Sequence, residues 1–214
     1  MIGERRGYPV SLVLGGRRVV VVGGGPVAGR RVAELLEAGA QVTVIAPQLS
    51  SAVEHLAREG KLEAAQRPFQ AGDLDGAWVA FAATDDPEVN RTVVEAAEAR
   101  HCFVSSATGG AAPSLRPMSA LRRGGLEVAV GTSGRSPAVA AWLRRRLETD
   151  IGPEYGVLVD LAAEERERRR ALAEPGEGCD WQAALDSGIL EAIRAGDLEK
   201  ARGELRACLS SSSG

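Results

Sequence analysis

A run of four valines followed by a glycine-rich turn constrains this chain more than any other feature. Residues Val19–Val22 are continuously apolar, which is typical of a strand buried on both faces of a sheet. Three glycines follow at 23–25, and the apolar residues of 27–38 then recur with the period of a helix that Gly39 ends. Residues 41–46 predict a second strand, which Pro47 ends. The stretch therefore predicts a strand, a tight turn, a helix and a second strand.

The turn has the pattern Gly23-x-Gly25-x-x-Ala28, and there is a physical reason for a small residue at each of these three positions. Gly23 permits the tight turn, Gly25 lets a pyrophosphate approach the backbone, and Ala28 lets helix and strand pack closely. The start of the helix offers free N–H groups and a partial positive charge to phosphates. We therefore predict a dinucleotide site here. The alternative is a glycine turn that only joins two elements.

The next hundred residues alternate between the two kinds of element. Strands are predicted over 62–67, 78–83 and 102–106, a turn over 73–76, and helices over 49–58 and 87–100, with N-caps at Ser50 or Ser51 and at Asp85 or Asp86. This order predicts an α/β, Rossmann-like fold with a mostly parallel sheet and helices on both faces. Ligands bind beyond the carboxyl ends of such strands. The loops 23–28, 46–48 and 83–86 should therefore converge.

From these loops we predict that Gly23, Gly24, Gly25, Ala28, Thr84 and Asp85 bind the cofactor. The second strand ends in Ala46, Pro47 and Gln48, whereas many dinucleotide folds carry an acidic residue there for the ribose. No arginine stands at this strand end to meet a 2′-phosphate either. The sequence leaves NAD or NADP open and slightly favours NAD.

Residues 108–117 break the alternation and indicate a crossing into a second unit. A strand is predicted over 126–130, and Pro137 opens a helix that runs through Glu148. The small residues between them can hold an anion, with an arginine alongside. We therefore predict substrate-binding roles for Thr132, Ser133, Arg135 and Ser136. The alternative is a plain capped helix start.

Charge is unevenly distributed along the chain. The net charge is −3, but residues 111–146 hold seven arginines and one acid, Glu127, which is a local balance of +6. Arginine suits bidentate capture of carboxylates, so the segment indicates a small polyanionic substrate. A solvated helix face is the alternative, above all for Arg144–Arg146. The bulk charge argues against a nucleic-acid partner.

The remaining residues predict helices over 154–171 and 181–207 after a linker at Gly152-Pro153, with no catalytic constellation in them. The predicted domains are 1–111 for the cofactor, 112–150 for the substrate, and 151–214 as a C-terminal helical domain.

The composition predicts a cytoplasmic protein without a membrane segment. Apolar residues make up 44% of the chain and charged residues 26%, and no apolar run approaches the ~20 residues of a membrane span. The first eight residues are charged and lack the apolar core of a signal peptide. The three cysteines lie far apart with no C-x-x-C motif, which suits a reducing compartment and argues against a zinc or iron–sulfur site. The two histidines, His55 and His101, are interpreted as surface or structural residues.

Together these blocks resemble one family, the precorrin-2 dehydrogenases of sirohaem and cobalamin biosynthesis, which are related to the N-terminal part of sirohaem synthase. The similar stretches are 8–10, 19–28, 35–40, 42–44, 82–90, 133–137 and 151–156. The blocks Ala-Ala-Thr-Asp-Asp and Gly-Arg-Ser-Pro are the most specific among them. The resemblance covers nearly the whole chain.

The resemblance implies an NAD-dependent oxidation of precorrin-2 to sirohydrochlorin by a homodimer that forms through residues 112–150. It also implies that the cofactor lies near Pro26-Val27 and Pro47-Gln48. The substrate carries several carboxylates, in agreement with the basic segment. Thr108 is the candidate substrate-binding residue that stands where many members carry an Asp.

Threonine is no general base near neutral pH, so the catalytic acid and base stay unassigned. Iron chelation is disfavoured, because no replacement carboxylate, His or Cys is close in sequence to Thr108. Two alternatives remain open. One is a bifunctional dehydrogenase and ferrochelatase, and the other is a catalytically weakened tetrapyrrole- or nucleotide-binding paralogue.

Overall fold

The computed structural model describes residues 7–107, 113–172 and 181–211 of the 214. The chain divides into two compact units, Met1–Pro117 and Met118–Gly214. The three-part division into 1–111, 112–150 and 151–214 stays a prediction.

The first unit is a five-stranded parallel sheet flanked by helices. Its elements in chain order are β1 Arg18–Val22, α1 Pro26–Glu37, β2 Gln41–Ile45, α2 Ser51–Arg58, β3 Glu63–Ala65, a 3₁₀ turn Ala71–Leu74, β4 Val79–Ala82, α3 Pro87–Glu98 and β5 Phe103–Ser106. The strands lie in the order β3-β2-β1-β4-β5, and every pairing is parallel. The predicted Rossmann-like fold is confirmed.

The valine run lies in the central strand of this sheet, and it is buried on both faces, as predicted. All four valines are buried. Val19 and Val21 pack with residues of α1 and α2, whereas Val20 and Val22 pack with residues of α3, because successive side chains of a strand point to opposite faces. The strand order reverses between β1 and β4, which leaves a crevice at their carboxyl ends.

The second unit begins with a hairpin and continues as helices. Its elements are β6 Ser119–Arg123, β7 Leu126–Val130, α4 Pro137–Asp150, α5 Glu154–Ala171, α6 Trp181–Leu185, α7 Ile189–Arg194 and α8 Leu198–Ser211. The two strands are antiparallel, and α4 and α5 each contact both of them. Leu161, Ile189, Ile193 and Leu205 form the core of the helical part.

Two features of the second unit differ from the sequence prediction. Strand β6 was not predicted, because Leu121 is its one buried side chain and the alternation is weak. The Gly124-Gly125 pair before β7 is a hairpin signal that indicates such a partner strand. The continuous helix over 181–207 was wrong: left-handed glycines at 188 and 196 divide it into α6, α7 and α8.

Candidate functional site

The three glycines after β1 have different reasons to be glycine. Gly23 has φ +123°, and a Cβ there would lie 2.3 Å from the Ala83 carbonyl oxygen. A Cβ on Gly24 would lie 2.1 Å from the carbonyl oxygen of Gln48. A Cβ on Gly25 would meet no atom within 4 Å. The fold therefore requires the first two glycines, and the third leaves open space in front of the backbone.

The helix that follows begins without a side-chain cap. Gly25 is the N-cap of α1, and Pro26 occupies its first turn. By contrast, Asp86 caps α3 and Ser136 caps α4 with side-chain hydrogen bonds. Residues 25–27 are exposed, while Ala28 is buried against the sheet. The N–H groups at the start of α1 are thus available to an anion, which a helix N-terminus also favours electrostatically.

The three loops predicted to converge do so, and backbone hydrogen bonds hold them together. The Gly23 N–H donates to the Ile45 carbonyl (2.9 Å), the Ser50 N–H to the Gly24 carbonyl (2.9 Å), and the Ala83 N–H to the Val22 carbonyl (2.8 Å). The ends of β1, β2 and β4 are therefore one connected surface.

A cavity of about 570 Å³ lies at this edge of the sheet. It is lined by Val22, Gly23, Ile45, Ala46, Pro47, Pro68, Phe69, Thr84, Asp85, Asp86, Glu88, Val89 and Thr92. Its wall is mostly apolar with a few polar groups, and its volume lies within the ~300–1,000 Å³ common for small-molecule sites. The cavity is suited to a flat heterocyclic group with polar substituents.

The third loop is held by a buried asparagine that the sequence analysis did not single out. Asn90 is 1% exposed. Its Oδ1 accepts from the Thr84 N–H (3.2 Å) and from the Thr84 hydroxyl (2.9 Å), and its Nδ2 donates to the Thr84 carbonyl (2.9 Å). The position of Thr84 on the cavity wall is thus set by the first turns of α3. An asparagine four residues after a predicted N-cap is a weak sequence signal for this role.

The predicted cofactor residues occupy two adjoining places in the first unit. Gly23, Pro47, Thr84 and Asp85 line the cavity, whereas Gly25, Pro26 and Val27 are at the exposed start of α1. Gly24 and Ala28 are buried and act through packing, and Gln48 is exposed beside them. The prediction did not include Pro68, Phe69, Glu88, Val89 and Thr92, which also line the cavity. The first two follow β3, whose carboxyl end lies on the same edge of the sheet, so topology could have indicated them.

The predicted substrate residues Thr132, Ser133, Arg135 and Ser136 lie in the second unit, between β7 and α4. The Thr132 hydroxyl accepts from the Ser136 N–H (3.1 Å), and the Arg135 N–H donates to the Thr132 carbonyl (2.9 Å). Ser133 is left-handed, with φ +54°. The loop is a compact turn that displays exposed Ser133 and Arg135. Thr108 lies outside the described residues.

A second, smaller cavity of about 130 Å³ lies between α5 and α8 and is lined by a cluster of paired charges. Glu165 is 4% exposed and binds Arg168 through two guanidinium nitrogens, with Arg206 at 3.3 Å. The Arg168 hydrogen bonds hold the pKa of Glu165 below its usual value, with Arg206 acting in the same direction against burial. This cluster joins helices and is structural. Among the described residues, no group of three His, Cys, Asp or Glu side chains could hold a metal ion.

The parallel sheet, its crevice and the open helix start define a nucleotide-binding protein of the Rossmann class. Residues 10–115 match a family described as "Putative NAD(P)-binding". The chain is similar to siroheme synthases and to a solved precorrin-2 dehydrogenase.

Two relatives and one solved structure illustrate this similarity. Siroheme synthase of Nitrosococcus oceani is 38% identical over 203 residues, which is 94% of this chain and 43% of that protein. Siroheme synthase of Methylobacillus flagellatus is 36% identical over 94% of this chain and 44% of its own length. The solved structure of SirC, a precorrin-2 dehydrogenase, superposes with a TM-score of 0.70 at 26% identity and covers 94% of this chain and 98% of SirC.

The chain therefore spans less than half of these siroheme synthases. Across the described residues, no helix combines the length and the apolarity that crossing a membrane requires.

Proposed function

We propose that this chain is an NAD-dependent precorrin-2 dehydrogenase that forms sirohydrochlorin. The observation that carries the proposal is the open, uncapped start of α1 beside the cavity, on a chain that matches SirC over nearly its whole length. The siroheme synthase relatives support the same pathway. The reaction removes two electrons and one proton as a hydride to NAD and releases a second proton.

The residues present fit a dinucleotide. A Cβ on Gly25 would point into open space where a ligand can approach, and the N–H groups of Val27 and Ala28 lie in the first turn of α1, where a helix leaves its N–H groups without intrahelical partners. These groups would hold the pyrophosphate, and the cavity would hold one nucleoside half. The nicotinamide supplies the hydride chemistry when bound. The chain itself binds, orients and shields the two reactants.

The exposed loop of the second unit is proposed to bind the substrate. Arg135 offers a planar cation to a carboxylate of the tetrapyrrole, and the basic segment adds to the field that attracts a polyanion. Thr132 and Ser136 fix the turn by hydrogen bonds to each other. Their role is to hold the arginine in place.

We further propose a cytoplasmic homodimer that uses α4 as part of its interface. Val139 and Trp142 are large apolar residues on α4 with 47% and 52% of their surface exposed. Aromatic side chains are enriched at the cores of such interfaces. A buried free thiol at Cys102 suits a reducing compartment.

The experiment is an anaerobic assay of the purified protein with precorrin-2 and NAD. NADH and sirohydrochlorin should appear in equal amounts, each followed by its absorbance. A folded protein that binds NAD and forms neither product would overturn the proposal. Parallel reactions with ferrous or cobaltous ion separate dehydrogenation from metal insertion, because formation of a metallated product reveals a second activity.

A further inference from the structure

The wall of the cavity at the sheet edge contains three carboxylates and no cationic side chain. Asp85, Asp86 and Glu88 contribute to its wall, and none of its lining residues is Lys, Arg or His. The acidic residue that often follows the second strand of dinucleotide folds is replaced here by Pro47. A carboxylate is nevertheless present in the same cavity, supplied by the loop after β4.

The three carboxylates differ in how far hydrogen bonds and ion pairs already compensate their negative charge. Asp86 accepts hydrogen bonds from the Glu88 and Val89 N–H groups at the start of α3. Glu88 pairs with Arg91 at 2.6 Å, and Arg91 does not line the cavity. Asp85 is exposed and has neither a hydrogen bond nor an ion pair with any of the described residues. Its charge is the least compensated of the three.

We infer that Asp85 selects NAD over NADP. It places an uncompensated carboxylate in the cavity, which takes the adenosine half of the cofactor. The inference rests on the proposed function. NADP differs from NAD by a 2′-phosphate of up to two negative charges. Like charges in a partly enclosed, mostly apolar cavity repel more strongly than in water. Asp85 thereby acts from the loop after β4 as the acidic residue after β2 acts in other dinucleotide folds.

The test compares the affinities of NADH and NADPH by fluorescence titration for the full chain and for Asp85→Asn. Asn keeps the size and hydrogen-bonding capacity of the side chain and removes the charge. The ratio of NADH to NADPH affinity should fall by about five- to tenfold in the variant. In the wild-type protein, raising the ionic strength should also reduce the ratio, because salt screens the repulsion.

Glu98→Gln is the matched control. Glu98 is an exposed acid on the same helix α3 and does not line the cavity, so its variant loses the same charge without changing the wall. Its affinity ratio should equal that of the wild type. Circular dichroism and thermal melts of both variants establish that they fold.

Each outcome is decisive. An unchanged ratio in Asp85→Asn, or wild-type affinity for NADPH equal to that for NADH, overturns the inference while nucleotide binding stands. An equal fall in Glu98→Gln would show a long-range charge effect and would also overturn it. If the wild-type protein binds neither nucleotide, the proposed function fails and the inference fails with it.

Discussion

At the residue scale, the three glycines after β1 are required for different reasons. The fold requires the first two, and the proposed ligand requires the third. Gly23 and Gly24 have backbone atoms of other loops within 2.3 Å of an added Cβ. Gly25 has an ordinary extended backbone and empty space in front of it. Substitutions at neighbouring positions of one motif should therefore fail for different reasons.

Gly25→Asp should fold normally and lose NAD binding, because its carboxylate would face the pyrophosphate and its Cβ would occupy the approach. Gly23→Ala should instead lower the free energy of unfolding by about 2–4 kcal/mol. Calorimetric titration with NAD and chemical denaturation of each variant measure the two effects. Unchanged NAD affinity in Gly25→Asp would mean that another loop binds the phosphates.

Asn90 is buried, so its substitution should affect both stability and the position of Thr84. Asn90→Ala would leave the Thr84 N–H and carbonyl without their side-chain partner, so the free energy of unfolding should fall by about 2–3 kcal/mol. NAD affinity should fall as well, since Thr84 lines the cavity. Denaturant unfolding and NAD titration measure both quantities. Asn90→Ala combined with Thr84→Val should cost less than the sum of the single variants, and strict additivity would contradict the coupling.

At the element scale, backbone hydrogen bonds and a left-handed glycine set the boundary between the C-terminal helices α7 and α8. The Gly196 N–H donates to the Ile193 carbonyl and the Asp197 N–H to the Ala192 carbonyl, which closes α7 with Gly196 left-handed at φ +77°. The Asp197 side chain then accepts from the Lys200 N–H at the start of α8. Two helices thus meet at one short junction.

Gly196→Ala should destabilise the second unit by about 1–2 kcal/mol, because alanine resists the left-handed conformation. No atom lies within 4 Å of the added Cβ, so the cost is conformational and not steric. Gly196→Asn is the matched variant and should cost clearly less, since asparagine tolerates this conformation. Thermal melts of the two variants measure the difference. Equal losses would point to a side-chain clash.

The charge cluster between α5 and α8 gives the second unit a pH dependence. The Arg168 hydrogen bonds hold the pKa of Glu165 in the folded protein below its usual value in the unfolded chain. The contribution of Glu165 to stability is therefore fully present above the unfolded pKa and is lost as the pH falls through the folded pKa.

Glu165→Gln should lower the free energy of unfolding by about 1–3 kcal/mol at pH 7, and the difference from wild type should shrink towards pH 3. Denaturant unfolding at several pH values measures it. Glu167→Gln removes an exposed acid of the same helix, 3.5 Å from Arg170, and should change stability by less than about 0.5 kcal/mol. A pH-independent loss in Glu165→Gln would contradict the electrostatic origin.

At the scale of the whole molecule, the predicted cofactor residues and the predicted substrate residues of the loop 132–136 fall in different compact units. Gly25 and Asp85 belong to the first unit, and Arg135 belongs to the second. The proposed reaction needs both a nucleotide and a polycarboxylate substrate. The two binding functions should then respond separately to substitution.

Arg135→Ala should raise the KM for precorrin-2 about tenfold or more and change NAD affinity by less than twofold, because it removes one charge-assisted hydrogen bond to a carboxylate. Steady-state kinetics and NAD titration measure the two effects. Arg166→Ala, an exposed arginine on α5 of the same unit, should change neither. Equal losses of both affinities in Arg135→Ala would contradict a substrate role.

The sequence by itself determined the parallel sheet, its helices and the loops that converge at its edge. Valine repetition, glycine spacing and proline positions are local signals, and the strand–helix order leaves few topologies. Tertiary structure decided what depends on distant contacts. It left open space next to Gly25 and packed Gly23 against a neighbouring loop. It also placed Asn90 where its side chain holds Thr84, and it brought Phe69 and Asp85 into one cavity. It also decided where the C-terminal helix breaks, because two glycines adopt left-handed conformations that composition alone does not require.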